Sequence, residues 1–147
     1  MTIIATDSQR YSNVFKYEDE PSLGVTREVV TVNDSAKTLK LGMLLGKVTA
    51  TGKYKESVQS AVDGSEAPVA VVVGKSILAE DVVLPATTDT KVLVVNRGTV
   101  IVSKVGILPH SSFNDAAKLD AAYASLATKE ILANDSFFTE FKGQLTE

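Results

Sequence analysis

Apolar residues in this chain follow mostly the two-residue period of β-strands. The stretch 25–32 is rich in β-branched residues and predicts a strand. Leu39, Leu41 and Met43 then alternate with polar residues or glycine, which again is the strand period. The run Val69–Val73 is apolar without interruption and predicts a strand that is buried on both faces.

The stretch from Leu39 to Glu56 combines a strand, a tight turn and a second strand. Val48 and Ala50 alternate with polar neighbours, Gly52 supplies the backbone freedom that a turn needs, and Tyr54 resumes the pattern. None of these residue types is chemically reactive. The stretch therefore indicates a chain that holds a shape and presents a surface.

A second strand-like stretch runs from Lys91 to Val105, with Arg97 and Gly98 in its middle. It is either a hairpin or one strand that is kinked at a glycine bulge. We favour the kinked strand, because the stretch lacks the two-residue turn sequences that are typical of hairpins.

One helix is predicted, over residues 112–128 or thereabouts. Ser112 and Asp115 have the spacing of a capping box, with Asp in place of the preferred Glu. Five apolar residues fall on one helical face, as expected for a helix that lies on a sheet. They are Ala116, Leu119, Ala122, Tyr123 and Leu126.

The segment 134–147 forms an apolar tail that contains Phe137, Phe138 and Phe141. Such a tail is expected to be buried, either on the core of its own chain or in an oligomer interface. The sequence leaves this choice open.

The first 24 residues differ from the rest of the chain. They are polar, they lack a sustained helical or strand period, and an acidic cluster at residues 18–20 precedes Pro21. One interpretation is a frayed terminus. The other is a flexible arm that orders on a partner and uses Tyr11, Phe15 and Tyr17 as contacts.

Composition limits the classes of function. The 147 residues suffice for one domain with a core, 44% are apolar, and cysteine is absent, which excludes disulfides and thiolate metal sites. The formal net charge is -3 and basic residues are scattered, so we expect no nucleic-acid partner. The start resembles no secretory signal, and the longest aliphatic run has five residues, so we expect a soluble protein made in a cytoplasm, without a membrane partner.

Candidate catalytic groups are few. His110 is the single histidine and has no second histidine to help it in metal binding or acid–base chemistry. The segments 74–76 and 42–47 resemble phosphate-binding loops but lack required positions of that motif. Glu80 and Asp81 form a pair that is common in turns. We therefore expect no enzyme activity, no catalytic residue, no metal and no cofactor.

The order and spacing of several segments resemble the lambda head decoration protein D family of tailed phages. The resemblance covers residues 11–133. The segments that carry it are 25–29, 39–54, 63–71, 92–98 and the alanine-rich helix that ends at 129–133.

This resemblance implies a mainly β fold with a short α-helix: a compact, small β-barrel or β-tulip-like domain at 25–147, with a flexible N-terminal arm at 1–24. It implies a cement protein that binds the expanded head shell, as a trimer at three-fold sites, and stabilises it against internal DNA pressure. It also implies an arm that contacts the major capsid protein on the outside of the virion. The arm residues expected to bind the capsid are Tyr11, Val14, Phe15, Tyr17, Pro21 and Leu23. The phenylalanine-rich tail extends beyond the expected end of the family.

Two other classes of function stay open. A small non-catalytic β-domain of a cellular complex would bind a carbohydrate or a protein in a groove near Tyr54. Four tyrosines and no tryptophan equip the chain poorly for stacking on sugars. A hydrolase would require carboxylates that converge in a cleft.

Overall fold

The computed structural model describes residues 11–19 and 23–134. It is mainly β with one helix of three turns, as predicted, and five of its strands close a barrel. The elements in chain order are α1 Tyr11–Val14, β1 Phe15–Glu18, β2 Arg27–Val32, β3 Lys37–Leu39, β4 Leu44–Lys47, β5 Tyr54–Glu56, β6 Pro68–Gly74, β7 Val82–Leu84, β8 Thr90–Val95, β9 Val100–Ser103, α2 Ala116–Ala127 and β10 Ile131–Asn134.

The barrel has the strand order β2-β5-β4-β6-β8. Strand β6 is its most buried element, since residues 70–73 have no exposed surface. Ala70 and Val72 pack into the barrel interior, whereas Val71 and Val73 belong to a second core outside it. The prediction of a strand buried on both faces at Val69–Val73 is confirmed, because each face of β6 covers a different core.

The β4–β5 hairpin confirms the predicted strand–turn–strand order, with different boundaries. Strand β3 ends at Leu39 and pairs with β7 outside the barrel. The chain then turns at Gly42, which has φ +96°, although Leu41 and Met43 continue the alternating pattern. Val48 and Ala50, also expected in a strand, lie in the turn between β4 and β5.

The stretch 91–105 is neither a hairpin nor one kinked strand. Strand β8 belongs to the barrel, and β9 belongs to a separate three-stranded sheet of order β1-β9-β10. Gly98 lies between them with φ +84°, a conformation that favours glycine. The expectation of one kinked strand was therefore wrong, because the chain changes sheets at this point.

Strands β1, β9 and β10 form what we call the terminal sheet. β1 is antiparallel to β9, and β10 is parallel to β9 on its other side. The second core lies between this sheet, β6 and α2, and includes Val71, Val100 and Leu126. Strand β1 lies within residues 1–24, where the sequence shows no sustained strand period, and it packs as part of the domain.

Helix α2 begins later than predicted. Its N-cap is Asp115, whose Oδ1 accepts the backbone N–H of Lys118 at 2.8 Å. Ser112 instead accepts the N–H of Gln59 at 2.8 Å and lies in the preceding turn. Of the predicted apolar face, Ala122 and Leu126 are buried, and Leu126 packs in the second core.

Candidate partner-binding surface

Both ends of the described chain meet at one end of the terminal sheet. Phe15, at the start of β1, is opposite Val102, and Asn134, at the end of β10, is opposite Ser103. Strand β1 therefore begins, and β10 ends, next to the carboxyl end of β9.

The outer face of the terminal sheet carries an apolar row. Tyr17 is opposite Ile101, and Ile101 is opposite Leu132 on the far strand. Tyr17 is 50% exposed, Leu132 is 46% exposed, and Ile101 is partly buried between them. Facing side chains on neighbouring strands contact one another, so the three form one surface patch across the sheet.

The predicted arm residues fall into two groups. Val14 is 0% and Phe15 5% exposed, and both pack in the second core. They were expected to contact the capsid, and the structure instead gives them a role in the domain's own packing. Tyr17 and Leu23 are exposed. The side chain of Tyr11, together with Pro21 and the rest of segments 1–10 and 20–22, lies outside the described residues.

The predicted oligomer contacts Phe137, Phe138 and Phe141 also lie outside the described residues. Only Asn134 of the predicted tail is described, and its carbonyl accepts the N–H of Lys104 at 2.8 Å. This bond holds the point from which the tail departs.

An ion pair fixes the other end of β1. Glu18 is buried, and its Oε2 and Oε1 accept Nε and Nη2 of Arg27 at 2.8 and 2.9 Å. The hydroxyl of Thr26 donates to the same carboxylate. A bidentate Arg–carboxylate contact of this kind is strong and directional. It attaches the terminal sheet to the start of β2.

Sequence reasoning missed Ile101, Leu132 and Arg27 as surface and junction residues. Ile101 lies between two buried valines, so the run Val100–Val102 is apolar on both faces of its strand. Such a run indicates that both faces are covered or available to a partner. Nothing in the local sequence linked Arg27 to Glu18, since their contact depends on the tertiary fold.

The remaining chemistry is sparse. Within residues 11–19 and 23–134, no group of three or more His, Asp or Glu side chains is arranged to hold a metal ion. His110 accepts the N–H of Ser112 at its Nδ1, at 3.0 Å, in the turn before α2. None of the described helices combines the length and the apolar character that crossing a bilayer requires.

Comparison with known proteins gives a family-level result. No individual curated protein matches the chain. The family described as bacteriophage lambda head decoration protein D matches residues 4–131, which is most of the chain and includes the barrel, the terminal sheet's first two strands and α2. The resemblance seen in the sequence is thereby confirmed, and this chain belongs to the lambda head decoration protein D family of structural phage-head proteins.

Proposed function

We propose that this protein binds the outer surface of an expanded phage head shell and stabilises it against the pressure of the packaged DNA. Family membership supports the decoration role. The observation that carries the proposal is that β1 begins and β10 ends at the same end of the terminal sheet, whose outer face carries the exposed Tyr17 and Leu132. Contacts made by segments 1–10 and 135–147 would then reach the same patch of the major capsid protein.

The proposed binding mode is strand addition by the segments that leave the terminal sheet. An extended segment gains main-chain hydrogen bonds at a sheet edge, and its apolar side chains fill pockets of the partner. Ordering one segment costs conformational entropy, so a single copy would bind modestly. In a trimer at a three-fold site, three copies bind together at high effective concentration, which gives high occupancy.

We propose a smaller set of capsid-binding residues than the sequence suggested. Val14 and Phe15 are needed for the second core, so we assign the contact to residues 1–10, Tyr17 and Leu23 instead. The phenylalanines at 137, 138 and 141 are proposed to contribute to the interface between copies. We propose no nucleic-acid, membrane or cofactor partner, and synthesis in the host cytoplasm before addition to the shell.

Binding to purified, expanded shells tests this function. Wild-type protein should saturate the shells, with added density at three-fold positions in electron micrographs. A variant that lacks residues 1–10 should lose most of its occupancy and keep its melting temperature, because Val14, Phe15 and Glu18 remain. Removing residues 1–20 is a poorer test, because it also deletes β1.

A substitution at Leu132 tests separately whether the outer face of the terminal sheet contacts the shell. L132S should lower occupancy, whereas V83S, at an exposed valine on β7, should not. If wild-type protein ignores expanded shells, the proposed function is wrong. If the variant without residues 1–10 decorates them at wild-type occupancy, the terminal segment is not the contact.

A further inference from the structure

Strand β2 has one incompletely paired edge. It pairs with β8 along its whole length, from Arg27 opposite Val95 to Val32 opposite Thr90. On its other side it pairs with β5 at Val32 and Tyr54 alone. The barrel is therefore closed at one end of β2, and among the described residues no strand covers the rest of this edge.

The direction of each backbone group follows from the alternation of an antiparallel pair. The N–H of Asn96 donates to the carbonyl of Thr26, so the even-numbered residues of β2 bond to β8. The odd-numbered residues direct their N–H and C=O groups to the opposite edge. In agreement, the N–H of Asn33 donates to Tyr54 at 2.9 Å on that side.

Most groups on this edge have partners within the chain. Arg97 donates to the carbonyls of Val25 and Arg27, at 2.9 and 3.1 Å. The N–H of Arg27 bonds to Gly24. Among the described residues, the N–H and C=O of Val29 and the N–H of Thr31 have no bonding partner. The backbone groups at both ends of this edge are therefore hydrogen-bonded, and those in its middle, at Val29, are not.

A groove follows the open part of the edge. It is lined by residues that include Val29, Thr31, Gly52, Lys47 and Tyr54. The same Lys47 and Tyr54 also line a second concavity that ends at Lys129. The two concavities thus share Lys47 and Tyr54, and we refer to them together as one path on the barrel surface. The side chain of Val29, 59% exposed, borders its beginning.

The unpaired charges along this path are positive, because the two carboxylates in its lining, Glu28 and Asp89, each have an ion-pair partner. Oε1 of Glu28 lies 3.6 Å from Nη1 of Arg97. Lys53 is neutralised by Asp89, with 3.0 Å between Nζ and Oδ1. Among the described residues, Lys47 and Lys129 have no carboxylate within 4 Å. The ammonium of Lys47 instead lies 5.9 Å from the centre of the Tyr54 ring. A ligand that follows this path would meet two lysines that have no ion-pair partner.

We propose that this groove binds an extended, acidic segment of the capsid subunit, which adds as a strand beside Val29. Unpaired main-chain donors and acceptors on a strand edge are satisfied in register by another extended backbone. The two lysines select carboxylates on that backbone. This inference rests on the proposed function for the identity of the partner. It adds a contact that is separate from the terminal sheet.

Proline at position 29 tests the main-chain contact. V29P removes the N–H that faces the groove and no hydrogen bond to β8, and the preceding residue is already extended, as proline requires. Affinity for expanded shells should fall about tenfold per site, the effect of one or two lost hydrogen bonds. V29A, which keeps the N–H, is the matched control and should bind more tightly than V29P.

Two substitutions of opposite charge at the same position test whether the bound segment is acidic. This test does not depend on the folding of V29P. Because Val29 is largely exposed, V29E and V29K should both fold. V29E should weaken shell binding, and V29K should preserve or strengthen it. K47E should weaken binding as V29E does, whereas K75E, at an exposed lysine outside the groove, controls for total charge.

The outcomes separate this inference from the proposed function. Wild-type binding with equal affinities for V29P, V29E and V29K would overturn the groove contact and leave the decoration role intact. Failure of wild-type protein to bind shells would overturn both. A change in sedimentation of the free protein caused by V29E would show that a second copy occupies the groove, and would also overturn the assignment to the capsid subunit.

Discussion

Arg27 binds Glu18 through two parallel hydrogen bonds, and this contact joins the first strand of the chain to the barrel. The carboxylate side chain is 4% exposed and the guanidinium side chain 17%. In the sequence, Glu18 is followed by two further acidic residues and would be read as part of a solvent-exposed acidic cluster. Its partner and its burial make it a structural residue instead.

Removal of this carboxylate should destabilise the protein and release β1 first. Taking one partner from a buried ion pair typically costs about 3–5 kcal/mol. E18A should therefore lower the free energy of unfolding in urea by about 3 kcal/mol. Hydrogen exchange should show the amides of residues 15–18 losing protection before those of β6. K53A, which breaks an exposed pair with Asp89, should have a far smaller effect. Equal effects of E18A and K53A would contradict this account.

Protonation of Asp34 should account for part of the stability that the protein loses at low pH. Burial tends to raise the pKa of this carboxyl, but the N–H groups of Glu56 and Ser35 and the ammonium of Lys37 outweigh it, so the pKa is lowered on balance. A group with a lowered folded-state pKa contributes stability above its unfolded-state pKa of about 3.9, and this stability is lost as the pH falls through the folded-state value.

D34N should therefore be less stable than wild type at pH 7, and the difference should shrink below pH 4 as the wild-type carboxylate is protonated. Urea unfolding at a series of pH values measures this. K37M removes one of the three donors to Asp34 and should reduce the pH dependence without abolishing it. A stability difference between D34N and wild type that is constant from pH 7 to pH 2 would contradict the assignment.

Gly46 should tolerate no side chain. A Cβ at this position in β4 would overlap the backbone carbonyl of Ser65, a buried residue in the loop over the barrel. Because a backbone atom cannot rotate away, G46A should cost about 3 kcal/mol or more. At Gly24 no atom lies within 4 Å of a Cβ, so G24A should create no steric overlap. It should cost only the backbone strain of an alanine at φ +63°, which is about 1–2 kcal/mol. Melting temperatures of the two variants compare these costs directly.

The helix should depend on Asp115 rather than on Ser112. Loss of an N-cap side chain costs about 1 kcal/mol, so D115A should lower the free energy of unfolding by this amount. D120A, at an exposed site on the same helix, should change it little. Urea unfolding followed by circular dichroism at 222 nm reports on α2 in both variants. A larger effect of D120A than of D115A would show that the cap has been misassigned.

The long apolar run of β6 allowed a correct prediction, because burial there is decided locally. For the β4–β5 hairpin the order of strand, turn and strand was predicted correctly, but the alternating residues Leu41, Met43, Val48 and Ala50 lie outside both strands. Strand β1 escaped prediction because it has only four residues and its burial is irregular: Phe15 and Glu18 are buried, and Lys16 and Tyr17 are exposed. A register shift between Phe15 and Tyr17 breaks the alternation that sequence analysis relies on.

The candidate surface was predictable only in part. Tyr17, Val14 and Phe15 were all predicted to bind the capsid, but only Tyr17 is exposed, and Val14 and Phe15 are buried. Which aromatic or aliphatic residue faces the solvent depends on the position of β9, some 85 residues further along the chain. A groove near Tyr54 was considered from the sequence, and Tyr54 does line the groove beside Val29. The open strand edge along this groove could not be predicted, because it arises from where β5 departs from β2, and no local pattern encodes that.

The middle strand of the terminal sheet is flanked by the first and the last strands described. During translation, β1 can pair with β9 only after Val102 has been synthesised. Strand β9 can pair with β10 only after Ile131 and the residues that follow it have been synthesised. The barrel can assemble earlier, since its strands lie between residues 27 and 95. Contacts so distant in sequence form slowly. Nascent chains should therefore carry a finished barrel and an unprotected second core until residues 131–134 of β10 have been synthesised.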